Sequence, residues 1–253
     1  MKKKIINFLK LFKPLTVEYI FKPFNRIYRY SSKNSVLKNL IKTNIPISQI
    51  VDVGVSTSTD ELINCFPKKE HLLFEPVFKN HKYIAKNYKK IKHKLFKVAL
   101  SNEKKIAYCN EYSNWSNGIS THASISLNPV KVDGKKFIKC EKLKVDILDS
   151  YEEIIKKNFL LKIDVDGTDL EVLNGSKKVI KNASIVIIEA TWSGLAERAK
   201  FVEDQGFVLY DIADKCFYGD ALWQCDLVFV RKDFNKLVRK DINKFNYFLW
   251  HEL

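Results

Sequence analysis

The sequence predicts an α/β fold: a doubly wound, Rossmann-like sheet of about seven mainly parallel strands with helices on both faces. Three observations point there. Short apolar runs, several ending in glycine or an acid, recur between residues 50 and 230. Amphipathic stretches of helical length fit between most of them. The chain has 253 residues, 46% of them hydrophobic, which suits one sizeable domain with extensions.

Residues 1–49 read as a basic, aromatic N-terminal extension. They hold eleven Lys and Arg against one acid, Glu18, and so carry +10 of the +15 net charge. Ile5, Ile6, Phe8, Leu9 and Phe12 recur at helical spacing among lysines until Pro14 stops them, and EYIFKPFNRIYRY then alternates aromatic with basic residues. Such a segment suits peripheral contact with an anionic membrane through residues 1–30, or packing of its apolar face on the domain. Lys10 interrupts the apolar stretch, so no cleavable leader is expected, and no uncharged apolar run approaches membrane-spanning length. Five cysteines form no CxxC pair. The reading is a reduced, cytoplasmic protein, peripheral at the inner membrane surface if the extension binds lipid.

The domain then spans 50–230. IVDVG (50–54), HLLFE (71–75) and LFKVALS (95–101) are the first three strands. Nearly sixty residues precede the next one, too many for an ordinary crossover, so about 103–158 is an insertion. Within it KKFIKCEKLKVDIL alternates like a strand, predicting antiparallel pairing near the mouth of the site. FLLKIDV (159–165), ASIVIIEA (183–190), GFVLYDI (206–212) and DLVFV (226–230) complete the set. Between the last three, residues 194–205 place Leu195, Ala199 and Val202 on one helical face, with Gly206 as a C-terminal stop. Residues 231–253 are a tail.

The chemistry should sit at strand ends, where open α/β sheets bind ligands. Gly54 opens the loop GVSTSTDE after the first strand, and Glu75 ends the second strand 21 residues later. That is where a doubly wound fold places the acid that binds ribose hydroxyls. The loop is not GxGxxG, and with Ser56 and Ser58 in place of glycines it suits a diphosphate poorly. A cofactor with ribose but no phosphate, such as S-adenosylmethionine, tolerates it better.

Asp164 ends the fourth strand and Glu189 the fifth. Carboxylates at neighbouring strand ends suit either a divalent cation, Mg or Mn, or a general base whose pKa is raised by the other charge. His122 in the insertion is a second candidate base. Trp115 offers a face on which a sugar could stack. Asp166, before Gly167 and the helical TDLEVL, reads as an N-cap or turn residue, and Lys162 has no assigned role. The histidines lack zinc-ligand spacing.

DVG (52–54), LLFEPV (72–77), KVALSN (97–102), LLKIDVDGTDLEVLNG (160–175) and IVIIEA (185–190), in this order, resemble the FkbM-type family of S-adenosylmethionine-dependent methyltransferases. The resemblance spans roughly residues 48–230, and its most specific piece is the fourth. It implies a seven-stranded class I methyltransferase fold that usually modifies hydroxyls of sugars or small metabolites. It further implies that Asp52 and Gly54 line the methionine end of the cofactor, with Ser56 in the same loop, and that Glu75 binds the ribose. Ala99 to Asn102 would flank the adenine, and Asp164 would face the methyl group or the acceptor. The first loop departs from the family, which generally has Asn and a second Gly where this chain has Ser56 and Ser58.

Other readings compete. Asp164-Val165-Asp166 has the form of a DxD motif, which in a glycosyltransferase binds a divalent ion bridging sugar-nucleotide phosphates. An inactive membrane-surface or partner-binding module would also explain the serine-rich loop and the basic extension. Methylation of nucleic-acid bases is disfavoured, because DVDG stands where such enzymes carry Pro-Pro-aromatic.

Overall fold

The computed structural model describes residues 31–113, 122–130 and 136–239. The helix read within residues 1–30, Trp115 and the last part of the tail lie outside the described residues. In chain order the elements are α1 (Lys33–Ile41), β1 (Gln49–Val53), α2 (Asp60–Cys65), β2 (Glu70–Phe74), α3 (His81–Asn87) and β3 (His93–Phe96). There follow β4 (Ala99–Leu100), β5 (Lys105–Ser113), β6 (His122–Ser126), β7 (Lys136–Asp146) and β8 (Phe159–Ile163). The last are α4 (Asp169–Asn174), β9 (Ala183–Thr191), α5 (Leu195–Asp204), β10 (Phe207–Tyr218), β11 (Ala221–Arg231) and α6 (Asn235–Val238).

Seven described strands form the main sheet in the order β10-β11-β9-β8-β1-β2-β3. All neighbours are parallel except β11, which runs antiparallel to both β9 and β10. Chain order reverses between β1 and β8, so a crevice opens at their carboxyl ends. The strands flanking it are buried along their whole length and are nearly uniform in apolar residues, as a sheet covered on both faces requires. The exceptions are Gln49, at the start of β1, and Asp52 and Lys162, which are partners in the β1–β8 register.

Alternation along the strands divides the core in two. Val51, Val53, Leu161, Ile163, Val186 and Ile188 face α4 and α5, whose Val172, Leu173 and Val202 are fully buried against them. Ile50, Leu160, Ile185, Ile187, Val228 and Val230 pack against Val36, Leu37 and Leu40 of α1 and Leu62 of α2. The boundary drawn at residue 50 therefore misses a core helix. Ser32 and Ser35 start α1 by exchanging side-chain and backbone hydrogen bonds, at 3.1 and 3.2 Å.

The run LFKVALS divides between two sheets. His93–Phe96 completes the main sheet, while Ala99–Leu100 pairs with β7 in a second sheet of order β4-β7-β5-β6. The insertion thus builds a sheet, not merely a hairpin, with antiparallel pairing of β5 to both β6 and β7. Among the described residues no helix is long and apolar enough to cross a membrane.

Because Leu40 is fully buried between α1 and the sheet, Leu40→Ala should cost about 2–5 kcal/mol. Urea unfolding measures this; an unchanged midpoint would mean that α1 is dispensable to the core.

Candidate functional site

At the end of β1 the chain must turn beneath its neighbour. Gly54 adopts φ +81, and a Cβ there would sit 1.8 Å from the Asp164 carbonyl oxygen, so this approach admits glycine alone. Two residues on, Ser56 also takes a left-handed φ of +53, and its N–H donates to Glu75 Oε2 at 2.7 Å. A serine in this conformation is strained, which is why Gly or Asn is the ordinary choice there.

Glu75 is 4% exposed, and its other oxygen accepts from Val77 N–H at 2.8 Å and Asn80 Nδ2 at 3.2 Å. Burial outweighs these donors and lifts its pKa to about 7. A carboxylate has lone pairs beyond the three donors it meets, so it can still accept from a diol.

The loop after β8 is held from several sides. Lys162 Nζ lies 3.3 Å from Asp52 Oδ1, 3.2 Å from Asp164 Oδ2 and 3.1 Å from the Gly54 carbonyl. It is thus ion-paired to both carboxylates and donates a hydrogen bond to the carbonyl. Burial alone would discharge this ammonium, but the two carboxylates outweigh it and hold the pKa above the ordinary lysine value. Burial likewise pushes Asp164 up, yet Lys162 and Lys33 draw it below the usual carboxylate range. Tyr88 Oη donates to Asp52 from behind at 3.5 Å. Asp169 accepts from Val165 N–H at 3.2 Å and from Arg198 Nη2 at 2.9 Å, and Arg198 Nη1 donates to the Gly194 carbonyl at 3.1 Å. The loop is thereby pinned to α5.

A cavity of about 370 Å³ lies along these strand ends, within the roughly 300–1,000 Å³ usual for small-molecule sites. Gly54, Ser56, Ser58 and Glu75 line it together with Val98, Ala99 and Leu100. Asp164, Asp166, Lys162 and Lys33 also line it, with Ala123 and Ile125 of β6. The second sheet therefore contributes to the wall, as the placement of the insertion near the mouth anticipates.

Several sequence expectations need correction. Asp52 is absent from the wall; it lies wholly buried behind it, turned to the face that Lys162 occupies. Asn102 is exposed and does not line the cavity, because it lies past β4, in the bend that leads on to β5. Asp166 lies in the turn before α4, one of its two expected places, but Thr168 and not Asp166 is the N-cap, and Asp166 Oδ2 accepts from Ala123 N–H at 3.0 Å. Lys162 holds the site together, and its signal in the sequence was a charge inside an otherwise apolar strand. His122 begins β6 opposite Tyr112.

Glu189 does not line the cavity but is close enough to Asp164 to feel its charge. Gln224 Nε2 donates to its Oε1 at 2.6 Å. Burial first, then Asp164 and Asp226, raise its pKa to about 7. The divalent-cation reading of Asp164 and Glu189 finds no support: among the described residues no group of three or more His, Cys, Asp and Glu side chains could hold a metal ion. Asp164 answers to Lys162 and Asp166 to a backbone amide, so the DxD pair does not converge on one point either.

Residues 49–209 match the model of the methyltransferase FkbM domain. The chain belongs to this family. Among curated proteins, none matches it. Similar solved structures include the magnesium protoporphyrin IX methyltransferase of Synechocystis PCC 6803 with bound SAM, at 10% identity and TM-score 0.44, covering 78% of this chain and 77% of that one. An rRNA methylase from Streptococcus thermophilus is similar at 5% identity and TM-score 0.44, covering 79% of this chain and 97% of that one. Likenesses this distant carry no argument about chemistry. The family membership does: it makes this chain an S-adenosylmethionine-dependent methyltransferase. The residues fit that cofactor, since Glu75 can take a ribose diol and the loop after Gly54 lacks the further glycines that phosphates require.

Two predictions test this FkbM site. Lys162→Met would leave Asp52 buried without its cation and should cost about 3–5 kcal/mol, with Lys162→Met/Asp52→Leu recovering part of the loss. Chemical denaturation of both variants measures this, and a neutral single substitution would refute the role. The second concerns pH. Glu75 has a folded pKa of about 7 against an ordinary 4.5, so between these values the folded state holds a proton that the unfolded state has released. Its contribution to stability is therefore lost as pH rises from 4.5 to about 7. Relative to Glu75→Gln, the wild type should lose on the order of 3 kcal/mol across that window. Parallel pH-dependence curves would contradict the burial argument.

Proposed function

We propose that this FkbM methyltransferase acts on a hydroxyl group of a sugar or glycoconjugate, with S-adenosylmethionine as methyl donor. The observation that carries the reading is a pair of carboxyls at neighbouring strand ends with opposite displacements. Asp164 is drawn below the usual carboxylate range, while Glu189 is raised to about 7. Environments that push two acids apart in this way assign their roles. Glu189, set back from the cavity wall beside Asp164, changes protonation near neutral pH and so suits a general base that takes the acceptor proton through one water. Asp164, tied to Lys162, stays charged and orients what lies in the cavity.

When bound, S-adenosylmethionine supplies a methyl group already activated by its sulfonium. The protein's share is then position and one proton acceptor. Glu75 and the Gly54–Ser58 loop hold the ribose end, Val98, Ala99 and Leu100 form an apolar wall, and β6 narrows the opening. The family resemblance, together with DVDG after β8 in place of Pro-Pro-aromatic, favours hydroxyl over base-amino acceptors.

Calorimetric titration with S-adenosylmethionine and S-adenosylhomocysteine should show binding that Glu75→Ala weakens. In methyl transfer to a hydroxyl acceptor, kcat should rise with pH through about 7 and then level, since the base must be ionised. Glu189→Gln should lower kcat by about 10²–10⁴ and remove that limb while retaining cofactor binding. Failure of either nucleoside to bind, or an unchanged pH profile in Glu189→Gln, would overturn the corresponding part.

A further inference from the structure

Lys33 and Asp226, both outside the matched family segment, meet beside the cavity, where Lys33 lines the wall and Asp226 stands behind it. Lys33 is the first residue of α1. Its ammonium lies 2.9 Å from Asp226 Oδ2 on β11 and 4.0 Å from Asp214 Oδ2 on β10. Asp226 pairs with Glu189 across the β9–β11 ladder, so their side chains share a face. Gln224, two residues before Asp226 on that same face, holds Glu189 by its 2.6 Å hydrogen bond. The helix before the family segment and the strand after it thus meet beside the candidate base.

The charge here opposes that of the chain. Overall the protein is +15, yet Asp164, Asp166, Glu189, Asp214 and Asp226 surround only Lys33 and Lys162 among the residues described above. Both lysines are already paired, which leaves neither of them free to receive an anion. Asp226 is 5% exposed, and its Oδ1 has no hydrogen-bond partner. A buried acceptor without a donor is costly, and a ligand that brings a donor removes the cost. Burial holds the Asp226 pKa above its ordinary value even beside Lys33.

We infer that Lys33, Asp214, Asp226 and Glu189 form an acceptor subsite that takes a hydroxyl compound bearing a cationic amine, of which an amino sugar is the simplest case, and rejects anionic acceptors. The inference rests on the methyltransferase reading above and narrows its substrate class. Specificity then resides in α1, β10 and β11, around the cofactor loops of the common domain.

The test uses the full chain saturated with S-adenosylhomocysteine and three probes that differ mainly in charge: methyl glucosaminide, methyl glucoside and methyl glucuronide. Ligand-observed NMR reads their binding. The amino sugar should bind most tightly and the uronate least, by about tenfold or more at low ionic strength, with the gap narrowing in high salt. Asp226→Asn should shrink the preference towards parity. S-adenosylhomocysteine affinity reports whether that variant folds, and Asp214→Asn, nearer the surface, should produce a smaller change of the same sign if it does not. Equal binding of all three probes, a preference for the uronate, or binding of none beside bound S-adenosylhomocysteine overturns the subsite. Failure of S-adenosylhomocysteine itself to bind would instead remove the methyltransferase reading beneath it.

Discussion

One buried ammonium holds the two central strands in working geometry. Lys162 stands in β8, whose other residues are all apolar, and its charge persists only because Asp52, Asp164 and the Gly54 carbonyl converge on it. Desolvating three charges is expensive, and such clusters add little net stability over an apolar core. What they contribute is a geometry that does not slip. The contacts join the ends of β1 and β8 at the point where the sheet reverses direction, which is where the crevice must open. Gly54 has to be a glycine because this junction brings its Cα against the Asp164 carbonyl.

From that junction the electrostatics of the site follow. Asp164 is kept ionised by its lysine partner, and its fixed charge, with burial, makes Glu189 hold a proton near neutrality. Glu75, on the cavity wall, reaches a similar pKa chiefly by burial, with a smaller push from Asp52. A low-lying acid and a high-lying acid thus coexist a strand apart. The Lys33–Asp226 pair extends the same logic outward, using segments that the family domain does not include.

Most strands could be read from residue type because buried parallel strands leave little room for anything but Val, Ile, Leu and Phe. The acid ending the second strand was legible for a related reason: Glu75 breaks an apolar run at a fixed distance from Gly54. LFKVALS reads as one strand because its apolar character is continuous, and nothing local reveals that Ala99 leaves for a different partner, β7, more than forty residues ahead. Asp166 could be read locally as a turn residue or a cap; it lies in the turn, and its carboxylate bonds the Ala123 N–H of β6, a partner more than forty residues away.

The places of most strands along the chain, the loop glycine and the two acids at strand ends follow from chemistry that acts over a few residues: alternation, apolar runs and turn-forming side chains. The pairing of Lys162 with Asp52, the union of α1 with β11 through Lys33 and Asp226, and the retreat of Asn102 from the cavity depend on contacts between residues far apart in the chain. Which buried charge meets which partner is set by the register of neighbouring strands, and register is a property of the assembled sheet rather than of any one segment.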